Sequence, residues 1–440
     1  MSSPITDQAE PGRVELRLAP PRPRVLKADL CVVGAGAAGI SAAVEAAKRG
    51  LKVCLIDGLG QIGGQSVNGL IGTFCGFYSK GPKPYQLTYG FAGDMLAALD
   101  RSGALSYRAG QGSVIALYDE AALAGFYSAQ LLAAKVDVVL GAILRQVSRE
   151  RDRIEALDVE TRYGPITVRA TAYVDASGDA VLASLAGATV QQPNVSVFGT
   201  TMFSVTGLVE PVPARKKIVE RLAEVAGQYG LDRRDGFVFA FPGRDLCLVN
   251  LTHYETPLDP LAMSRRALEA PGRVADVLAF LRAEFPDAFS QARVGTIGQP
   301  GVRQTRGITG LAALTTSAVR GGRQPADAIG RCAWPIEFHG AREAVYWEPF
   351  PDGHISWVPL SAMIARDFSN LVAAGRCIDA EPLALGAVRV IGPCMAMGTA
   401  AAAVAAVGGT DFRQISTEAV QALIADNVDR CDPVAAALWQ

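Results

Sequence analysis

Apolar and polar positions alternate along the chain in blocks whose period changes from segment to segment. Residues 29–33 (Asp-Leu-Cys-Val-Val) form a short apolar run that breaks at Gly34-Ala35-Gly36-Ala37-Ala38-Gly39. An alanine-rich amphipathic stretch follows as far as Gly50, and a second apolar run, residues 51–56, ends at Asp57. The order reads strand, glycine turn, helix, strand, acid. Helical spacing predicts helices over residues 91–101 and 119–134, and an apolar run predicts a strand over 136–140. Alternation with a period of two over 154–160 and 166–170, about the turn Tyr163-Gly164-Pro165, predicts an antiparallel meander. Residues 173–180 read as a strand, a small-residue turn and a helix start.

From about Gln191 the pattern changes. Strand-like runs at 199–205, 237–241 and 246–251 alternate with amphipathic helices at 215–229 and 262–285. The earlier strand-and-glycine character returns at 370–376 and leads into an alanine-rich helix beyond residue 391. The chain therefore predicts an α/β protein with a discontinuous nucleotide-binding domain, residues 25–190 and 365–440, and an inserted α+β substrate domain, residues 191–364. No tandem repeat is present.

The first block carries chemistry. Gly34 permits a tight turn, Gly36 lets a diphosphate approach the backbone, and Gly39 lets the helix pack closely. The helix starts at Ala37-Ala38 with free N–H groups aimed at an anion. Asp57 lies where a carboxylate accepts ribose hydroxyls. The loop after it, Gly58 to Ser66, includes Gly63, Gly64 and Gln65, and is bare enough to lie flat against a large ligand. Glycines alternating with apolar and aromatic residues over 67–78 suit a pocket wall.

Composition narrows the classes. The 440 residues are half hydrophobic, with 46 glycines, which fits a globular protein of two or three domains. Forty-two basic against 43 acidic residues give a net charge of −1, so neither nucleic acid nor an anionic membrane is indicated as a partner. The least polar stretch, 396–407, is too short to span a bilayer. Residues 1–24, rich in Pro and Arg without an apolar run, read as a disordered leader and not a signal peptide. The eight cysteines form no Cys-x-x-Cys pair, so no metal or dithiol site is expected, and a reducing cytoplasm is the natural location.

Taken together, these stretches resemble the FAD-dependent oxidoreductases of the glutathione-reductase-like superfamily, and most closely a bacterial family without an NAD(P)H domain. The resemblance is carried by the 34–39 turn with Asp57, the Gly63-Gly64-Gln65 loop, and Asp175-Ala-Ser-Gly-Asp179. It extends to Gln299-Pro-Gly-Val-Arg303-Gln-Thr-Arg306, Asn370-Leu-Val-Ala-Ala-Gly375-Arg376 and Pro393-Cys-Met-Ala-Met-Gly398. It implies FAD as cofactor, Gly375 and Arg376 near the ribityl–pyrophosphate, and a helix opening near Met395 (Cys394, Met395, Ala396, Met397) directed at the flavin. Asp179 or Asp175 would serve the turn on the adenosine side, or simply cap a helix. Asp57 stands where glutamate is more usual, and no second glycine fingerprint for a nicotinamide is present.

For the substrate, Arg303 and Arg306 are candidates to grip a carboxylate, with a structural ion pair as the alternative for each. His253, at a strand end, is a candidate general base or a plain hydrogen-bonded histidine. His339, His354 and Trp357 lie in aromatic-rich loops that either line the pocket or pack. Cys394, at the expected helix start, reads as packing more than reacting. The expected reaction is dehydrogenation of a small polar metabolite at a C–N or C–O bond by hydride transfer to flavin N5. Electrons would pass to oxygen or a separate acceptor, in a monomer or homo-oligomer. The alternatives are a reductase of an unsaturated acid and a non-catalytic flavoprotein subunit of a complex.

Overall fold

The computed structural model describes Arg13 and residues 22–110, 113–209, 211–241 and 244–435. The leader expected over 1–24 lies outside the described residues except for Arg13 and residues 22–24. Arg24 already opens the first strand, Arg24–Val33, five residues earlier than the apolar run from Asp29 suggests.

That strand lies inside a seven-stranded sheet. It pairs in parallel with Val53–Asp57 on one side and Gly164–Asp175 on the other, in the register Leu30↔Val53 and Val33↔Asp175. Asp137–Leu140 adds in parallel to the outer side of Val53–Asp57. Leu371–Ala373 adds in parallel to the end of Gly164–Asp175, whose opposite half turns back through the antiparallel strands Arg153–Thr161 and Ile143–Glu150. The central strands are buried on both faces, as continuous apolar runs demand in a parallel sheet. Only Gly141-Ala142 separates the two edge strands Asp137–Leu140 and Ile143–Glu150. Three residue steps reach at most about 11 Å, so the end of one edge strand lies close to the start of the other, although the two do not pair.

The helix Ala37–Lys48 packs on this sheet and is covered in turn by Ile391–Val407, which is buried from Ile391 to Val404. Ser41 Oγ donates to the Met395 carbonyl at 2.9 Å across that contact. Among the described residues no single helix is long and apolar enough to cross a membrane. Pro382–Val388 and Ile391–Val407 reach that composition only together, across a 92° bend.

A second, antiparallel sheet runs in the order Phe237–Ala240, Cys247–Asn250, Phe203–Thr206, Arg293–Ile297. Its own core, including Phe203, Val249, Leu222, Leu281 and Phe289, lies beneath the helices Arg215–Val225 and Pro260–Glu284. The single strand expected over 199–205 is two, Phe198–Gly199 and Phe203–Thr206. The break falls where Thr200 Oγ1 and the Thr201 N–H turn to Thr252. Residues such as Ile308, Ile336 and Val358 join the main core, not this second one. A hairpin that the sequence pattern did not show, Leu105–Gly110 with Ser113–Tyr118, pairs with Thr73–Phe74.

Candidate active site

A single cavity of about 470 Å³ runs from the first glycine turn to the junction with the antiparallel sheet. At one end the turn is made by Gly34 at φ +105°, where a Cβ would stand 2.4 Å from the Ala176 carbonyl oxygen. The second glycine loop closes against the first, since a Cβ on Gly64 would come within 2.9 Å of Gly36 Cα. Gly36 itself has nothing within 4 Å of a Cβ position, so bare backbone faces the cavity. The Ala35 N–H donates to Asp57 Oδ2 at 2.5 Å and the Leu59 N–H to Oδ1 at 2.7 Å. Asp57 thus pins the turn as well as lining the cavity, with lone pairs to spare for hydroxyl donors.

Gly34, Gly36, Ala37, Ala38, Asp57, Gly64, Gln65, Ser66, Asp179, Gly375, Arg376 and Cys394 all line this cavity. Gly39, Gly58 and Gly63 stand behind its wall: Gly39 against the Gly34 carbonyl, Gly58 beside Ile143, and Gly63 donating its N–H to Ala35 O at 2.7 Å. Asp175 is fully buried and accepts from Ser177 and Ala183 N–H groups, so it ties the turn to the start of the helix Val181–Ala186, whose N-cap is Ala180. Asp179 accepts from Thr305 Oγ1 at 2.6 Å and lies 3.6 Å from Arg376 Nη2. Arg376 Nη1 is buried with no hydrogen-bond partner, an unspent cationic donor in a glycine-walled crevice.

The remote helix opens at Ile391, one turn upstream of Met395. Val390, Ile391 and Cys394 face the cavity, while Met395, Ala396 and Met397 are wholly buried behind them. Met397 Sδ instead accepts the Gly375 N–H at 3.3 Å and holds that turn in place. Burial pushes the Cys394 thiol up to about 12, so despite the helix start it stays protonated.

At the other end the walls are Ile71, Met202, Phe237, Phe239 and Trp334, with Arg108, Arg303, Arg389 and Glu337 set among them. Arg303 is 9% exposed and donates Nη1 to the Phe198 carbonyl at 2.7 Å. Burial, with Arg233 and Arg389 nearby, brings its guanidinium down to about 9, still charged at neutral pH. Glu337 Oε1 accepts from His339 Nε2 at 2.8 Å and Oε2 from Trp334 Nε1 at 2.9 Å. Burial opposes its ionisation, but the His339 hydrogen bond and the charges of Arg389 and Arg303 hold it well below the carboxylate range.

None of the three histidines lines the cavity. His253 hydrogen-bonds the Arg342 carbonyl through Nδ1, and burial with Arg233 and Arg303 holds it down to about 3. His339 sits behind Glu337, kept neutral by burial and by Arg303. His354 stacks on Phe350 and bonds the Val319 carbonyl. Trp357 packs beside a small cluster of Leu87, Ala333 and Ile355. Arg306 turns away to Ser184 Oγ at 3.0 Å. Of the substrate candidates, only Arg303 reaches the cavity. Glu337, Arg389 and Arg108 are the site residues that sequence reasoning missed. For Arg389 a signal existed, a lone arginine inside the apolar run 383–391.

The sequence matches the FAD dependent oxidoreductase family over residues 29–424. A probable oxidoreductase of Haemophilus influenzae is 44% identical over 57 residues, 11% of this chain and 13% of that protein's length. Among solved structures, a geranylgeranyl bacteriochlorophyll reductase-like protein from Thermoplasma acidophilum aligns with a TM-score of 0.50 at 14% identity, over 93% of this chain and 85% of its own. The anhydrotetracycline hydroxylase of Streptomyces rimosus aligns with a TM-score of 0.46 at 13% identity, over 92% and 66%. The chain belongs to the FAD dependent oxidoreductase family, and FAD is its cofactor. The open backbone at Gly36, the unpartnered Arg376 Nη1 and the helix start at Ile391 fit a group with a diphosphate and an anion-forming ring.

Proposed function

We propose that this protein dehydrogenates a small, polar, carboxylate-bearing metabolite at a C–N or C–O bond. The observation that carries the reading is one cavity joining the glycine turn to the buried Arg303 and the half-buried Arg389. FAD, when bound, supplies the two-electron acceptor. The turn at residues 34–39, Asp57, Gly64, Gln65, Gly375 and Arg376 would hold it. Arg303 and Arg389 would orient the substrate carboxylate, Glu337 would stay ionised between them, and the aromatic walls would exclude water.

Oxidation of this kind removes a hydride from carbon and a proton from the neighbouring nitrogen or oxygen. A hydroxyl needs a base for its proton, whereas a neutral amine expels hydride with its own lone pair. The carboxylate that lines this end of the cavity, Glu337, is held well below the usual range by the His339 hydrogen bond and nearby arginines and is therefore a weak base, which favours the C–N bond. We also propose that residues 25–190 and 365–440 form the cofactor-binding part and 191–364 the substrate-facing part. The separate core of the antiparallel sheet supports this division. Unpaired cysteines suit a cytoplasmic location.

The test is anaerobic. Protein reconstituted with FAD should be yellow and should bleach on addition of one of a panel of small amino acids or hydroxy acids. Failure to retain FAD after reconstitution would remove the reading. Reoxidation of dithionite-reduced enzyme by an unsaturated acid faster than by oxygen would reverse the direction of the reaction.

A further inference from the structure

We propose that the substrate is a small dicarboxylate, with one carboxylate seated by Arg303 and Arg389 and the other by Arg108. This rests on the dehydrogenase reading and narrows its substrate class. Three guanidiniums, those of Arg108, Arg303 and Arg389, line the apolar end of the cavity against one carboxylate, Glu337. Arg233, behind Arg303, is already paired with Asp235 at 2.5 Å. The diphosphate end has its own cation in Arg376.

The two positive charges left over are poorly spent within the chain. Arg303 donates one hydrogen bond, to a carbonyl. Arg389 donates one to the Glu337 carbonyl and stands 3.9 Å from its carboxylate. Arg108 makes no hydrogen bond or ion pair to any described residue. Its Nε is buried and unpartnered, and its guanidinium lies 4.7 Å over the Phe239 ring. An aromatic face fixes a guanidinium plane and leaves its edge donors for a second ligand. Guanidinium donors shut off from solvent without an acceptor, as Arg108 Nε is, are costly, and a dianion would satisfy the set where a monocarboxylate leaves one cation without a partner.

The FAD-loaded protein would be titrated with succinate and with butyrate, which match in carbon number, following the flavin absorption spectrum and the heat of binding. Succinate should bind about 10- to 100-fold more tightly. Arg108→Gln should bring succinate down to the level of butyrate, and Arg303→Gln should weaken both. Equal affinity in the wild-type protein, or no binding of either, would overturn the proposal, and that comparison needs no variant. A succinate preference that survives in Arg108→Gln would overturn the assignment to Arg108. FAD retention and anaerobic bleaching by a monocarboxylate would leave the dehydrogenase reading standing after any of these failures.

Discussion

Replacing Glu337 by Gln removes one charge from the centre of the site and little else. The His339 proton can move from Nε2 to Nδ1, which has no partner. His339 Nε2 would then accept from the new amide NH₂, while the amide oxygen keeps the bond from Trp334 Nε1. Both hydrogen bonds to residue 337 therefore survive, and the counter-charge is lost, with an unpaired Nδ1–H replacing an unpaired Nδ1 lone pair. At 3.9 Å from Arg389 Nη2, and with an effective dielectric of about 20, that attraction is about 4 kcal/mol. The figure falls within the range of about 3–5 kcal/mol for breaking a buried pair from one side. At about 2.1 cal/mol/K per residue, a chain of 440 residues unfolds with an entropy of about 0.9 kcal/mol/K. Glu337→Gln should therefore lower the melting temperature by about 3–5 °C. Acetate should recover part of the loss in the variant and raise the wild-type protein less. Differential scanning calorimetry of the FAD-loaded proteins reads both quantities. Melting temperatures equal within about 1 °C, with no acetate effect, would show that Arg303 and Arg389 do not depend on this carboxylate.

Three other outcomes follow from the same geometry. His253 has a folded pKa of about 3 against about 6.5 unfolded. Its contribution to stability is therefore complete above pH 6.5 and is lost as pH falls toward 3, about 2 kcal/mol of it by pH 5. Urea unfolding should show that acid limb flattened in His253→Asn, and identical pH slopes would count against it. A Cβ on Gly398 would lie 2.2 Å from the Ala38 carbonyl oxygen and 2.9 Å from Ser41 Cβ. Gly398→Ala should thus cost about 1–3 kcal/mol and weaken FAD retention, because Ala38 lines the cavity; unchanged FAD affinity would contradict this. Finally, Cys431 is exposed while Cys394 is buried with its thiol pushed up to about 12. A thiol reagent at neutral pH should therefore modify Cys431 quickly and leave Cys394 untouched in the native protein, as mass spectrometry of peptides would read.

The parts of the site visible in the sequence are those made by local backbone. The turn at 34–39, Asp57 and the Gly375-Arg376 turn need specific residue types at fixed spacing, so they appear as motifs. Arg303 was visible for the same reason, as a cation inside a Gly- and Pro-containing run. Glu337 was not, because its position depends on a fold that brings residues 303, 334, 339 and 389 together. The neighbouring His339 drew the functional reading instead, although its ring faces away behind the carboxylate. Arg108 was hidden by the short hairpin 105–118, which lacks a strong alternating pattern between two clear helices. The start of the helix at Ile391 was displaced by a turn because Gly392-Pro393 reads as a loop, whereas Pro is tolerated in a first helical turn.

The contact between the helices Ala37–Lys48 and Ile391–Val407 also bears on biosynthesis. Ser41 bonds to a carbonyl 354 positions further along the chain. The nascent helix Ala37–Lys48 therefore leaves the ribosome without the surface that shields it, which is made only after all the residues in between. Closure of this contact should therefore wait for the later helix and be slow because it is distant in sequence.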